Sequence, residues 1–267
     1  MPGMVSTITS GGYSIGGETL TNLLRIENIN KSFGGLQVLI DVSFKVEIGA
    51  RKALIGPNGA GKTTLFNVIS GELQADSGRV LFLDQDITRL PPHKRVGLGF
   101  ARTFQQNNLF FNLSVRENVL LALRGGTSPL KALANLKPSK ADYSRARDIL
   151  ETWGLWDRRS LLVKDLSYGE QRQMELVLGL ATQSKLLLLD EPSAGMSPAE
   201  TATIVSMIAS LPRDMTVIII EHDMDVVFNL ADHIVVLEIG QVITEGTPAE
   251  VKSNPRVRKV YLGEENI

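Results

Sequence analysis

The chain has 267 residues, 43% of them hydrophobic, which is enough for a sizeable core in one large or two small domains. Its formal net charge of −1 gives no electrostatic reason to expect nucleic acid as the main partner. The absence of cysteine excludes a disulfide framework and thiolate chemistry. It contains no run of 18 apolar residues, so we expect no segment of it to span a bilayer.

The first 22 residues differ in composition from the rest of the chain. They are rich in Gly, Ser and Thr, and they lack both the basic start and the apolar core of a secretory signal. This composition predicts a mobile N-terminal tail over residues 1–22. The folded domain is therefore expected to span residues 23–263.

The next part of the chain reads as strands around one short helix. The helix is expected over 63–70, where Leu65, Phe66, Val68 and Ile69 are its apolar positions and Gly71 ends it. A buried strand over 50–55 enters a glycine-rich loop just before this helix. The other strands are expected at 23–30, 43–48, 79–83 and 99–104.

A long helical pattern then runs from Ser114 to about residue 180. Ser114 with Glu117 reads as a capping box that begins the first helix. The stretch 125–142 contains Gly, Pro, Ser and Lys, which predicts a loop or a weak helix. The block at about 106–170 is therefore expected to form a separate helical lobe.

The last third of the chain alternates strands with helices. Strands are expected at 186–190, 216–220, 234–238 and 241–245, and helices at 198–211 and 224–230. Alternating strands and helices predict an α/β fold with a largely parallel sheet. The short apolar runs at 186–189 and 217–220 are typical of strands that are buried on both faces.

A phosphate-binding loop follows the strand at 50–55. The pattern G-x-x-x-x-G-K-[ST] is complete, with an apolar strand before it and a helix after it. Glycines let the backbone N–H groups approach phosphates, and the helix directs its N-terminal dipole at the same charge. The predicted nucleotide-binding residues here are Gly56, Pro57, Asn58, Gly59, Ala60, Gly61, Lys62, Thr63 and Thr64.

Two side chains of this loop have specific tasks in nucleotide chemistry. The Lys62 ammonium is expected to reach the β- and γ-phosphates, and the Thr63 hydroxyl to ligate Mg²⁺. The alternative is a glycine-rich turn that happens to precede a helix. The strand and the helix on either side favour the phosphate-binding interpretation.

Asp190 and Glu191 end the apolar strand at 186–190. Side chains at the carboxyl end of a parallel strand face the crevice where ligands bind. Asp190 is suited to holding Mg²⁺ through water, and Glu191 to polarising the attacking water. The alternative is that these two residues form a solvated turn before Pro192. The glycine loop in the same chain favours the catalytic interpretation.

Ser167 and Glu170 form a second capping box, ahead of a helix over 171–181. The same residues also predict an anion site, because the Ser167 hydroxyl and free N–H groups of Tyr168 and Gly169 would meet at a helix start. The two interpretations are compatible.

Four motifs together resemble the ATPase subunit of an ABC transporter. They are Gly56–Thr63, Leu166–Gln171, Leu186–Pro192 and Glu221–Asp223. The resemblance covers almost all of residues 23–263 and implies a P-loop NTPase of ABC type. That fold has a mostly parallel sheet core, an antiparallel β subdomain and an inserted helical lobe.

The resemblance also implies the assembly. Two subunits would form a head-to-tail homo- or heterodimer, with two ATP molecules at the interface. The segment with Ser167, Gly169 and Glu170 would cover the γ-phosphate held by the other subunit's glycine loop. The site would therefore be incomplete in one chain.

Further site residues follow from the same resemblance. Phe33 falls where the family stacks an aromatic ring on adenine. Gln105 falls at the glutamine that senses Mg²⁺ and links the two lobes, and His222 at the histidine that contacts the γ-phosphate. This chain departs from the common pattern at Ser197, where the family often has an Asp that crosses the interface, and at Tyr168 and Glu170, where Gly and Gln are commonest.

The details lean toward one branch of the family. The segments 99–105, 190–196 and 260–264 resemble the ATP-binding subunits of branched-chain amino acid importers. Urea or short-chain amide importers and the lipopolysaccharide-export ATPase are similar alternatives. An importer implies two membrane permeases, a periplasmic binding protein as an indirect partner, and a place on the cytoplasmic face of the membrane.

Two other classes of protein also fit part of the pattern. Some ABC-type ATPases act in DNA repair or translation without a membrane partner. Those carry long coiled coils or two cassettes in one chain, and this sequence has neither. A P-loop kinase would have no use for the segment Leu166–Gln171.

Overall fold

The computed structural model describes residues 7–9, 12–15, 18–103, 109–124 and 138–262. The chain divides into two compact units, one made of residues 1–95 with 212–267 and the other of residues 96–211. Within the described ranges, no helix is both long enough and apolar enough to cross a membrane.

The elements alternate along the chain much as the sequence predicts. The strands are β1 (Thr7–Thr9), β2 (Gly12–Ile15), β3 (Glu18–Leu20), β4 (Asn22–Phe33), β5 (Leu36–Glu47), β6 (Arg51–Ile55), β7 (Ser77–Phe82), β8 (Gln85–Asp86), β9 (Phe100–Thr103), β10 (Leu186–Asp190), β11 (Thr216–Ile220), β12 (His233–Glu238) and β13 (Gln241–Gly246).

The helices lie between these strands in the chain or after the last of them. They are α1 (Lys62–Ser70), α2 (Pro92–Leu98), α3 (Val115–Arg124), α4 (Lys140–Thr152), α5 (Tyr168–Ala181), α6 (Pro198–Ala209), α7 (Met224–Leu230), α8 (Pro248–Ser253) and α9 (Pro255–Leu262). Short 3₁₀ turns lie at Trp156–Arg158 and Val163–Asp165.

The first unit contains two sheets in which every pair of neighbouring strands is antiparallel. Strands β1, β2 and β3 pair in that order, within the segment predicted to be a mobile tail. The mobility of that segment stays a prediction. Strands β5, β4, β7 and β8 form a second antiparallel sheet, which is the β subdomain expected from the sequence.

The same unit also has parallel strands at its centre. β6 lies between β11 and β12 and is parallel to both, and β13 extends β12 as an antiparallel neighbour. Every residue of β6 and β11 is buried, including the charged Arg51 and Lys52 at the start of β6. Helices α7, α8 and α9 pack with these strands around eight buried apolar side chains: Ala53, Ile55, Val227, Ala231, Ile234, Val236, Val251 and Val257.

Helix α1 is bounded by two glycines in the left-handed conformation. Gly61 at its start has a φ of 100°, and Gly71 at its end has a φ of 84°. A Cβ on Gly71 would lie 2.6 Å from the Nε of Arg95, so the guanidinium fits only because this residue is glycine. The predicted end of the helix at Gly71 is confirmed.

Arg95 is almost fully buried beside the end of α1. Its guanidinium donates hydrogen bonds to five carbonyl groups, those of Val68, Ile69, Ile87, Thr88 and Leu90. Burial lowers the pKa of Arg95 to about 10, so the side chain still carries its charge at neutral pH. Arg95 thereby joins the last turn of α1 to the segment that follows β8.

The second unit contains a parallel strand pair and four capped helices. β9 pairs in parallel with β10, in a register that places Arg102 beside Leu188. The predicted capping boxes Ser114–Glu117 and Ser167–Glu170 are both present, and α4 and α6 begin in the same way. This unit spans residues 96–211, beyond the lobe predicted at 106–170, because β9 and β10 cluster with the helices.

Candidate functional site

The glycine loop lies in the first unit, between β6 and α1. The Lys62 ammonium folds back over the loop and donates to the carbonyls of Gly56, at 2.6 Å, and Pro57, at 3.0 Å. Gly59 and Gly61 have φ values of 81° and 100°, which L-residues with a side chain rarely adopt. The loop therefore holds a buried positive charge inside a turn of backbone, which is suited to a phosphate chain.

Neighbouring backbone holds the loop from one side. The Gly240 N–H donates to the Ala60 carbonyl at 3.1 Å, and the Gly240 carbonyl accepts from the Ile40 N–H at 2.8 Å. A Cβ on Gly61 would lie 2.8 Å from the Val38 carbonyl oxygen. The turn between β12 and β13 and the strand β5 thus fix the loop, a role for Gly240 that no motif predicts.

Phe33 and His222 lie in the same unit as the loop. Phe33 ends β4 with 48% of its surface exposed, and the Lys31 ammonium lies 5.5 Å from its ring centroid. His222 is exposed just after β11, whose Ile220 pairs with Leu54 of β6. Because β6 and β11 are parallel neighbours, the glycine loop and His222 leave the sheet at the same edge.

Asp190 and Glu191 lie at the end of β10 in the second unit. The buried Asp190 carboxylate pairs with the Arg102 guanidinium, with 3.0 Å between Oδ2 and Nη2. Glu191 has a φ of 51°, which is uncommon for a residue other than glycine and directs the chain into a turn. No role for Arg102 was predicted from the sequence. Its position three residues before the predicted site residue Gln105 could have indicated that this cation belongs to the site.

Gln105 lies outside the residues that the structure describes. Its predicted Mg²⁺-sensing role stays a prediction.

The residues predicted to cover a partner's phosphate begin α5. The Ser167 hydroxyl accepts from the Glu170 N–H at 3.2 Å, and the Ser167 N–H donates to the Glu170 carboxylate at 2.9 Å. The other Glu170 oxygen lies 2.8 Å from the Nε of Arg158. The Glu170 side chain is therefore engaged in the cap and in an ion pair within its own unit.

The Gly169 N–H was expected to be free for an anion, and in this structure the Glu200 carboxylate lies close to Gly169. A Cβ on Gly169 would lie 2.6 Å from a carboxylate oxygen of Glu200, so this approach requires glycine. Hydrogen bonds from the Ser197 hydroxyl and then from the Ser197 N–H lower the pKa of Glu200 below its ordinary value. A carboxylate of the same chain thus lies beside the residue that was predicted to meet a phosphate.

Each unit, taken by itself, offers an oxygen group of the kind that magnesium binds. The Thr63 side chain is exposed in the first turn of α1, and Asp190 presents a carboxylate at the end of β10. Mg²⁺ prefers such oxygen ligands, completes its shell with water and substrate phosphates, and needs few protein groups. In the described part of the chain no cluster of three or more His, Cys, Asp or Glu residues could hold a metal by itself.

Comparison with known proteins decides the family. A family profile described as ABC transporter matches residues 39–194. The chain belongs to the ABC transporter family. A second profile, described as branched-chain amino acid ATP-binding cassette transporter, matches residues 241–266 of this ABC cassette.

Curated relatives match the ABC cassette over almost their whole length. The high-affinity branched-chain amino acid transport ATP-binding protein BraF of Pseudomonas aeruginosa is 37% identical, over 91% of this chain and 98% of BraF. The probable branched-chain amino acid transport ATP-binding protein LivG of Methanocaldococcus jannaschii is 39% identical, over 91% of this chain and 98% of that protein.

Solved structures agree with the fold. The ADP conformation of MJ1267, an ATP-binding cassette of an ABC transporter, superposes with a TM-score of 0.80 at 37% identity. The match covers 92% of this chain and all of that one. The predicted fold class is confirmed, and the protein is an ABC-type ATPase, as its motifs indicate.

Proposed function

We propose that this cassette is the ATP-hydrolysing subunit of a membrane importer for branched-chain amino acids. The observation that carries the nucleotide part is the Lys62 ammonium, which is buried against the Gly56 and Pro57 carbonyls inside the glycine loop. The names of BraF and LivG and the profile match at residues 241–266 support the cargo.

Binding of ATP would draw on the first unit. The Lys62 ammonium would turn from the two carbonyls to the β- and γ-phosphates, while the N–H groups of the loop surround them. The exposed ring of Phe33 would stack on adenine, and His222 would contact the γ-phosphate. Thr64, in the first turn of α1, lies where the helix dipole favours the same negative charge.

Hydrolysis would draw on Asp190 and Glu191. Thr63, Gln105 and Asp190 would hold Mg²⁺, which neutralises phosphate charge when bound. The carboxylate of Asp190 would exchange part of its interaction with Arg102 for the metal. Glu191 would polarise the attacking water, since it directly follows Asp190 at the end of β10.

The working unit would be a dimer with membrane partners. Ser167, Gly169 and Glu170 of one subunit would cover the γ-phosphate held by the other. The dimer would power two permeases at the cytoplasmic face of the membrane and be served by a periplasmic binding protein. We propose no contact with nucleic acid.

Replacing Glu191 tests the catalytic role. Glu191→Gln should abolish steady-state ATP hydrolysis while ATP-dependent dimers persist in size-exclusion chromatography. Glu27→Gln is the matched control, since Glu27 forms a surface ion pair with Arg79. Unchanged turnover in Glu191→Gln would refute the role of Glu191.

Transport assays test the cargo. The cassette should be co-expressed with candidate permeases and a candidate binding protein, and uptake of labelled leucine, urea and short-chain amides compared. ATP-dependent leucine uptake that disappears in Glu191→Gln supports the proposal. Uptake of urea or amides alone, or co-purification with lipopolysaccharide-export subunits, ribosomes or DNA, would refute the cargo assignment.

A further inference from the structure

Tyr168 forms a hydrogen-bonded link between the start of α5 and the turn that follows Glu191. Its hydroxyl donates to the Ala194 carbonyl at 3.2 Å and accepts two hydrogen bonds from the Arg172 guanidinium, at 3.0 and 2.7 Å. A phenolic hydroxyl offers one donor and two acceptor sites, so all three are used.

The link is anchored at one end by a buried ion pair. The Nη1 of Arg172 lies 2.9 Å from the Glu175 carboxylate, and both side chains are largely buried. The guanidinium is thereby held with its Nε and Nη2 directed at Tyr168. Charged donors strengthen the hydrogen bonds that they feed, so the hydroxyl becomes a better donor to Ala194.

At its other end the link reaches the backbone of Glu191. The Ala194 N–H donates to the Glu191 carbonyl at 3.1 Å, which closes the turn. Gly195 lies under the tyrosine, where an added Cβ would be 3.7 Å from the hydroxyl oxygen. Glu191 sits at a φ of 51°, a conformation that costs free energy and persists only when surrounding contacts hold it.

We propose that Tyr168 is a positioning residue for Glu191: its hydroxyl fixes the turn 191–195 and so directs the Glu191 carboxylate toward the attacking water. The inference rests on the proposed catalytic role of Glu191. It gives a physical reason for a tyrosine at a position where the family most often has glycine, since glycine could not form the link.

Removing the hydroxyl alone tests this role. Tyr168→Phe in the full-length chain should lower kcat for ATP hydrolysis about tenfold with KM for ATP unchanged, because a misdirected base slows the chemical step. Tyr143→Phe is the matched control, since Tyr143 is similarly exposed in the same unit. Wild-type kcat in Tyr168→Phe would overturn the proposal, and a raised KM would place the residue in nucleotide binding.

A double-mutant cycle separates positioning from a general structural effect. If Tyr168 acts through Glu191, then Tyr168→Phe should leave unchanged the slow residual rate of Glu191→Gln, which is measured under single-turnover conditions with enzyme in excess. A further tenfold loss in the double variant would overturn the proposal while leaving the role of Glu191 intact. Wild-type turnover in Glu191→Gln itself would refute the proposed function, and the positioning role with it.

Discussion

The guanidinium of Arg102 and the carboxylate of Asp190 form an ion pair between two adjacent parallel strands, with 3.0 Å between Nη2 and Oδ2. The exposed fraction is 12% for the Arg102 side chain and 5% for that of Asp190. The residue proposed to meet Mg²⁺ thus has a positive partner in the chain itself.

We expect Arg102→Met to destabilise the protein in metal-free and nucleotide-free buffer. The substitution leaves a buried charge with one positive partner fewer, so the free energy of unfolding should fall by about 3 kcal/mol. Urea denaturation of Arg102→Met, of Asp190→Asn and of the double variant would measure the coupling free energy between the two side chains. Strictly additive losses would show that the pair contributes no coupling energy.

Phe33 should contribute to nucleotide affinity but little to stability, because about half of the residue's surface is exposed. Phe33→Ala should weaken ATP binding about tenfold, or about 1.4 kcal/mol, while Phe33→Trp retains affinity. Calorimetric titration with ATP measures the affinity of both variants. Inorganic tripolyphosphate, which has no base, is the control ligand, and equal weakening for it would contradict base stacking.

Arg95 should be among the most sensitive positions for stability. Its replacement by methionine removes one donor from each of five carbonyls at the end of α1 and after β8, so the free energy of unfolding should fall by at least about 4 kcal/mol. Arg95→Lys should lose less, because an ammonium keeps the charge and three donors. Guanidinium denaturation would compare them, and a methionine variant as stable as the wild type would contradict this account.

The capping box at α3 should make stability depend on pH. Hydrogen bonds from the Ser114 hydroxyl and then from the Ser114 N–H lower the pKa of Glu117 below its ordinary value of 4.5. The cap therefore stabilises the fold above pH 4.5, and this contribution is lost as pH falls through the lowered pKa.

Glu117→Gln should lack this dependence. Its free energy of unfolding should lie below that of the wild type at neutral pH and converge with it in acid, as urea denaturation across the pH range would measure. Glu151→Gln is the control, since Glu151 pairs with Arg147 on the surface of α4. If the wild type still had a higher free energy of unfolding than Glu117→Gln below the lowered pKa, the pH dependence could not be assigned to Glu117.

Much of this fold was predictable because its signals are local. The bounds of β10, β11 and α7 agree with the sequence prediction, since an apolar run or a helix cap lies within the element itself. The stretch 36–42 was not predicted as strand. There β4 and β5 pair with several register shifts, which disturb the alternation of apolar and polar residues.

The unpredicted parts of the site depend on contacts between distant residues. The Arg102–Asp190 pair, the Tyr168–Ala194 hydrogen bond and the Gly240–Ala60 hydrogen bond each join separate segments. Ile239 has a φ of 47°, which a β-branched residue rarely adopts, so the local sequence does not predict this backbone conformation. The hydrogen bonds of the neighbouring Gly240 hold the turn in place.

Gly240 has a consequence for how this cassette would recognise its ligand. Its two hydrogen bonds tie the glycine loop to β5, the strand that pairs with β4 and its terminal Phe33. In the proposed site the ends of the nucleotide would therefore meet a preset spacing. Because these hydrogen bonds are present before any ligand binds, the Phe33 ring and the glycine loop would receive the base and the phosphates without first being rearranged relative to each other.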